Sequence, residues 1–154
     1  MAKIFICTSF STKVDATGAV LPDYKDLIEP VIMTIRQAGH NCFAAIEAEG
    51  WKITDKDPTE EFKKDLTVIY DSDIMLALLE ESVSAGVQIE IGYMLAQIDK
   101  HPRKQLVLAH QKGTLLSWSN AAIGKLPGVS TVEYTDAADI TSHIAALLAE
   151  TAER

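Results

Sequence analysis

The chain has 154 residues, close to the usual size of a single domain, so one compact unit spanning residues 1–154 is expected, with no room for a second. Hydrophobic residues make up 47% and charged ones 23%, an ordinary globular mixture that excludes a disordered chain. The 14 basic and 22 acidic residues leave a net charge of −8, which repels phosphate backbones and anionic lipid, so no nucleic-acid partner and no membrane partner are expected. Any phosphate held by such a protein must be gripped locally, by backbone amides and hydroxyls.

Cys7 and Cys42 are too few for a disulfide framework. With four histidines they form no metal-binding motif either, so no metal is expected and the compartment is read as reducing. The apolar opening Ile4-Phe5-Ile6-Cys7 is shorter than a signal-peptide core, and no stretch approaches the roughly 20 apolar residues of a membrane span. A cytoplasmic location is the expectation.

In chain order, a strand is predicted over residues 3–9, followed by a connection over 8–22 that is long for a small domain and contains Ser9, Ser11, Thr12, Lys13 and Gly18. Tyr24, Leu27, Ile28, Val31, Ile32 and Ile35 then recur at spacings of three and four, predicting a helix over 23–38 that Gly39 terminates. A strand over 41–46 follows. Asp57-Pro58-Thr59-Glu60 reads as an N-cap, a proline at the first helical position and an acid at the third, so a helix starts there and runs to about Tyr70. A strand over 73–79 leads into a helix beginning after Ser84, with Val87, Ile91, Leu95 and Ile98 as its apolar stripe. Strands over 104–109 and 130–134 and a last helix from Asp136 to the C-terminus complete the pattern, and Trp51 and Trp118 are placed in loops.

This alternation predicts a three-layer α/β fold of the doubly wound, Rossmann/flavodoxin-like type, with a five-stranded, mostly parallel sheet and right-handed crossovers. Ligands in such sheets bind beyond the carboxyl ends of the strands, which puts segments 8–22, 48–57 and 79–86 on one rim.

Ser84-Ala85-Gly86 lies where a strand hands over to a helix, and free amides there suit an anion. Helical spacing puts Gly86, Glu90, Tyr93 and Gln97 on the face opposite the apolar stripe, so Glu90 is a carboxylate beside a gap. The same residues suit a structural reading: Ser84 as N-cap, Gly86 for tight packing, Glu90 as a solvated acid. Asp65, three residues after Phe62 and four before Ile69, sits on the buried side of its helix, where burial raises a carboxyl pKa. An acid that holds a proton beside one that stays ionised is the pair that cleaves a glycosidic bond, although Asp65 could equally pair with Lys63 or Lys64 or border the core. The four histidines suggest surface or capping roles, and no Ser-His-Asp arrangement is arguable. Neither G-x-x-x-x-G-K-[ST] nor G-x-G-x-x-G occurs, so neither ATP nor NAD is supported as cofactor, and no cofactor is expected. An indole such as Trp51 or Trp118 could stack on a base or cover the core edge.

Taken together, Lys3-Ile4-Phe5-Ile6-Cys7-Thr8-Ser9, Asp65 eight positions before Asp73, Ser84-Ala85-Gly86-Val87 leading to Glu90-Ile91-Gly92-Tyr93, and Asn120-Ala121-Ala122-Ile123 resemble the nucleoside 2-deoxyribosyltransferase-like family over most of the chain. That family includes the transferases and the deoxynucleoside 5′-monophosphate N-glycosidases. The resemblance implies Glu90 as nucleophile on the anomeric carbon and Asp65 as proton donor to the leaving base. It implies substrate contacts from Ser84, Gly86, Ser9, Ser11, Lys13, Phe5 and Asn120. Ser84 stands where the transferases commonly have an aspartate, and favours a 5′-monophosphate. The position of Asn120 implies a homodimer or larger homo-oligomer, and its asparagine looks more like the nucleoside branch. Two departures stand out: Phe5 lacks the hydroxyl of the family's frequent tyrosine, and Lys13 replaces an arginine near Ser11, without bidentate grip. The expected function is an N-glycosidase acting on a nucleotide or deoxynucleotide 5′-monophosphate. Base exchange between deoxynucleosides, a nucleotide-sensing module without turnover, and NAD cleavage are the alternatives.

Overall fold

The short apolar runs become the buried strands of one sheet. The computed structural model describes residues 1–9, 11–53 and 56–152. Strands β1 (Lys3–Thr8), β2 (Asn41–Ala44), β3 (Ile74–Leu79), β4 (Gln105–Gln111) and β5 (Val129–Tyr134) are all parallel, in the order β2-β1-β3-β4-β5. This is the doubly wound, flavodoxin-like order, with its switch point between β1 and β3. Every residue of β3 is buried, as both faces of a parallel sheet require when helices cover them.

The helices are α1 (Pro22–Gln37), α2 (Ala45–Ala48), α3 (Pro58–Asp71), α4 (Ala85–Lys100), α5 (Trp118–Ile123) and α6 (Ala137–Ala152). Period-two alternation splits β1 between two cores. Ile4 and Ile6 pack with Ile28, Ile32 and Ile144 of α1 and α6, whereas Phe5 and Cys7 pack with Ile69, Ile91 and Met94 of α3 and α4. Three layers result. The apolar stripe of α1 is buried except for Leu27, which is partly so, and Gly39 closes the helix at φ +82°. The Asp57 carboxylate accepts from the Thr59 amide at 2.8 Å, as its N-cap reading requires.

Several boundaries differ. The strand expected over 41–46 stops at Ala44, because Ala45–Ala48 turns into one helical turn. The strand expected over 3–9 ends at Thr8, β3 and β4 each begin one residue late, β4 runs on to Gln111, and β5 starts at Val129. Trp118 is not in a loop: it opens α5, a six-residue helix whose N-cap Ser117 accepts from the Asn120 amide, and its indole is 87% exposed. Helices of one or two turns carry too few residues for a periodic signal. Trp51 does lie outside regular structure, partly buried against the α1 side of the core with the Lys25 ammonium over its ring, so it covers the core edge. His110 is buried rather than superficial; His101 caps α4 and His143 pairs with Asp139 at the surface. The expected run of α6 to residues 153 and 154 lies outside the described residues.

The connection over 8–22 is held by its own bonds, residue 10 lying outside the described residues. The Asp15 carboxylate accepts from the amide and hydroxyl of Thr17, both at 2.7 Å, and those bonds hold its pKa below the usual value. Gly18, at φ +80°, accepts from the Ile53 amide and ties this segment to the one after β2; a Cβ there would lie 3.3 Å from the Ile53 carbonyl. At the rim Tyr24 donates to the Ser9 carbonyl at 3.0 Å and also hydrogen-bonds the Thr8 hydroxyl. Tyr24→Phe is expected to lower unfolding free energy by about 1 kcal/mol, or somewhat more for the buried groups left unpaired. Urea titration measures it, and an unchanged midpoint would refute the role given to this bond. Among the described residues no helix is long and apolar enough to cross a membrane.

Candidate active site

The carboxyl end of β1 and the segments after β2 and β3 open onto a cavity of about 230 Å3. One wall carries hydroxyls and amides: Thr8 from the end of β1, Ser11 beyond it, and Ser84, Gly86 and Val87 from the start of α4. The other carries acids, Glu49 after α2 and Glu61 and Asp65 from α3, with Phe62 beside them; Glu90 of α4 completes the lining. Its volume lies just below the roughly 300 Å3 at which small-molecule pockets begin.

Ser84 is the N-cap of α4, its hydroxyl accepting from the Val87 amide at 3.3 Å. Ser9 accepts from the Ser84 amide at 2.9 Å and fixes the entry to the helix. A 16-residue helix therefore aims its amide end at the cavity. Gly86 needs no tight packing: a Cβ there would meet only the Ser84 hydroxyl, at 3.8 Å, so the missing side chain leaves room in the cavity.

Glu90 does not lie on a face turned away from the apolar stripe. It is 9% exposed and Gln97 6%, because α4 packs on the sheet with one side and against α3 with another, which widens its buried face beyond the stripe. The Cys7 thiol donates to Glu90 Oε2 at 2.9 Å. Burial pushes the Glu90 carboxyl up to about 7, opposed by the Cys7 hydrogen bond and reinforced by the Asp65 charge. Burial likewise raises Asp65 to about 6, with the Lys64 charge opposing and those of Glu61 and Glu49 adding to it. Both acids are thus poised near neutrality. Lys63 and Lys64 pair with Glu60 and Glu61, not with Asp65.

Of the residues read from the sequence, the cavity brings together Asp65, Glu90, Ser84, Gly86 and Ser11, with Ser9 immediately behind Ser84. Three others lie apart from it. Lys13 is ion-paired with Glu80 at 3.1 Å, and Phe5 is 1% exposed, stacked on Phe43 with ring centroids 5.9 Å apart. Asn120 is 1% exposed, its side-chain oxygen accepting from Gln88 at 3.3 Å and its Nδ2 without a partner among the described residues, so in the single chain it is buried rather than presented at the surface. Cys7, Glu49 and Glu61 escaped the sequence reading. Alternation along β1 puts Cys7 on the same face as Phe5, but only the packing of α4 reveals its partner. Among the described residues no cluster of three or more His, Cys, Asp or Glu could hold a metal ion.

No protein-family model matches the chain, and no curated protein does. Solved structures do. A Clostridium botulinum CMP N-glycosidase, BcmB, superposes with a TM-score of 0.70 at 17% identity, over 94% of this chain and 98% of that one. The solution structure of BlsM gives 0.73 at 23% identity, over 99% and 93%. A 2-deoxyribosyltransferase from Bacillus psychrosaccharolyticus gives 0.63 at 18% identity, over 96% of both. The chain has the fold of nucleoside 2-deoxyribosyltransferase-like proteins, as the sequence resemblance implies.

Proposed function

We propose that this protein is an N-glycosidase that releases the free base from a nucleoside or deoxynucleoside 5′-monophosphate. The observation that carries the reading is that Glu90 and Asp65, both with pKa values raised toward neutrality, line one cavity with the capped amide end of α4. The likeness to a CMP N-glycosidase and to a 2-deoxyribosyltransferase supports the same chemistry.

In this reading the ionised Glu90 attacks the anomeric carbon and the carbon–nitrogen bond to the base breaks. The base leaves with the proton of Asp65. Asp65, now ionised, takes a proton from water, whose oxygen displaces Glu90 from the sugar, giving the free sugar phosphate with retained configuration. The phosphate sits at the α4 amides with Ser84 and Ser11, a local grip that the −8 net charge demands. Incubation with a panel of nucleoside monophosphates, with free base read by chromatography, tests the reading. No release from any of them, with Glu90→Ala indistinguishable from wild type, would reject it. Product formed only when an acceptor base is added would identify base exchange instead.

Ser84→Asp separates phosphate from free nucleoside. Aspartate still caps the helix, so the fold is expected to survive. Its charge at the phosphate end costs several kcal/mol, so kcat/KM on monophosphates is expected to fall about 100-fold or more while that on free nucleosides does not. An equal fall on both substrates would remove Ser84 from phosphate recognition.

A further inference from the structure

Cys7 is 1% exposed on the face of β1 that packs against α3 and α4, and it does not line the cavity. Its thiol is therefore unable to act on a ligand directly. Instead it donates to Glu90 Oε2 at 2.9 Å and, among the described residues, is the one hydrogen-bond partner of that carboxylate. We propose that Cys7 is a positioning residue for Glu90: by holding one carboxylate oxygen against the sheet, it leaves the other free and aimed at the reacting carbon. The inference rests on Glu90 being the nucleophile.

A thiol suits this position for two physical reasons. Burial, the neighbouring Glu90 charge and that of Asp65 push the Cys7 thiol well above its usual pKa, so the donor keeps its proton over the whole working range. An S–H group is also a weaker donor than a hydroxyl. It orients the carboxylate while stabilising the anion only slightly, which leaves it basic enough to attack. The charged and titratable groups facing Glu90 are Cys7 from β1 and Asp65 from α3, with Glu61 and Lys64 on α3 and Glu49 after α2 acting on Asp65.

The test titrates the Glu90 carboxyl by 13C NMR, its resonance assigned by its loss in Glu90→Gln, in wild type, Cys7→Ala and Cys7→Ser. Melting temperatures check that each variant is folded. The expected order of midpoints is Ser below wild type below Ala, since serine strengthens the donor and alanine removes it. Against a nucleotide substrate, Cys7→Ala is expected to lower kcat on the order of 10-fold, about the worth of one net hydrogen bond, with little change in KM, and Cys7→Ser to restore most of it. A purely structural role would lower melting temperature and leave the Glu90 midpoint alone. Identical midpoints in the three proteins overturn the inference, as does an ordered titration with kcat unchanged in Cys7→Ala. Should Cys7→Ala fail to fold, Cys7→Ser against wild type still reads the order. If Glu90→Gln keeps full activity, it is the proposed function that fails, while the titration still reports the thiol bond.

Discussion

Glu90→Gln is expected to reduce base release by at least 1,000-fold, the order of loss that follows removal of a covalent nucleophile. The same substitution is expected to stabilise the protein at alkaline pH. The folded pKa of Glu90, about 7, lies above its ordinary 4.5, so between these values the native state holds a proton that the unfolded chain has released. Stability therefore falls as pH rises through that window, and above pH 7 the ionised, 9%-exposed carboxylate costs about 3 kcal/mol. Glutamine keeps the shape and still accepts from Cys7 without the charge. At pH 8 it is expected to raise the melting temperature by several degrees, at about 2–4 °C per kcal/mol for a chain of this size. At pH 4 the gain should vanish. Thermal unfolding of both proteins across this range measures it. Equal melting temperatures at pH 8 would mean that Glu90 is not strained by burial.

Asp65→Asn is the second large effect. Loss of a positioned proton donor is expected to lower kcat/KM by about 100- to 10,000-fold, least for bases that leave readily. In the wild type the productive form pairs an ionised Glu90 with a protonated Asp65, both carboxyls being pushed up by burial, to about 7 and about 6. A bell-shaped profile centred between them is expected, its limbs belonging to the pair. Asparagine leaves only Glu90 to titrate, so the alkaline limb should disappear and the bell should become a single rise with the ionisation of Glu90. A profile of unchanged shape, merely lowered in height, would show that Asp65 does not titrate in the reaction. The proposed division of labour would then be wrong.

How far the sequence reached depends on the range of the interaction. The stripe from Tyr24 to Ile35, the Asp57 cap with Pro58 and the Ser84 cap are written within one or two helical turns, and each appears as read. Ala45–Ala48 and Trp118–Ile123 are as local but too short to show a period. Glu90 illustrates a different failure. Helical spacing divides α4 into an apolar stripe and its opposite face, yet the helix meets both the sheet and α3, so a carboxylate beside the stripe is buried as well.

The sequence by itself determined the succession of strands and helices and the rim at which three segments meet, since alternation and capping are properties of neighbouring residues; Asp65 and Glu90 were singled out by spacing and resemblance, and the fold brings them to one cavity. Only the tertiary structure decided that the Cys7 thiol, 83 residues from Glu90, is its hydrogen-bond partner, that Lys13 is committed to Glu80, and that Asn120 is buried. Each of these depends on what lies across a gap between packed elements, where burial and opposing charge set the energy and no local pattern records the neighbour.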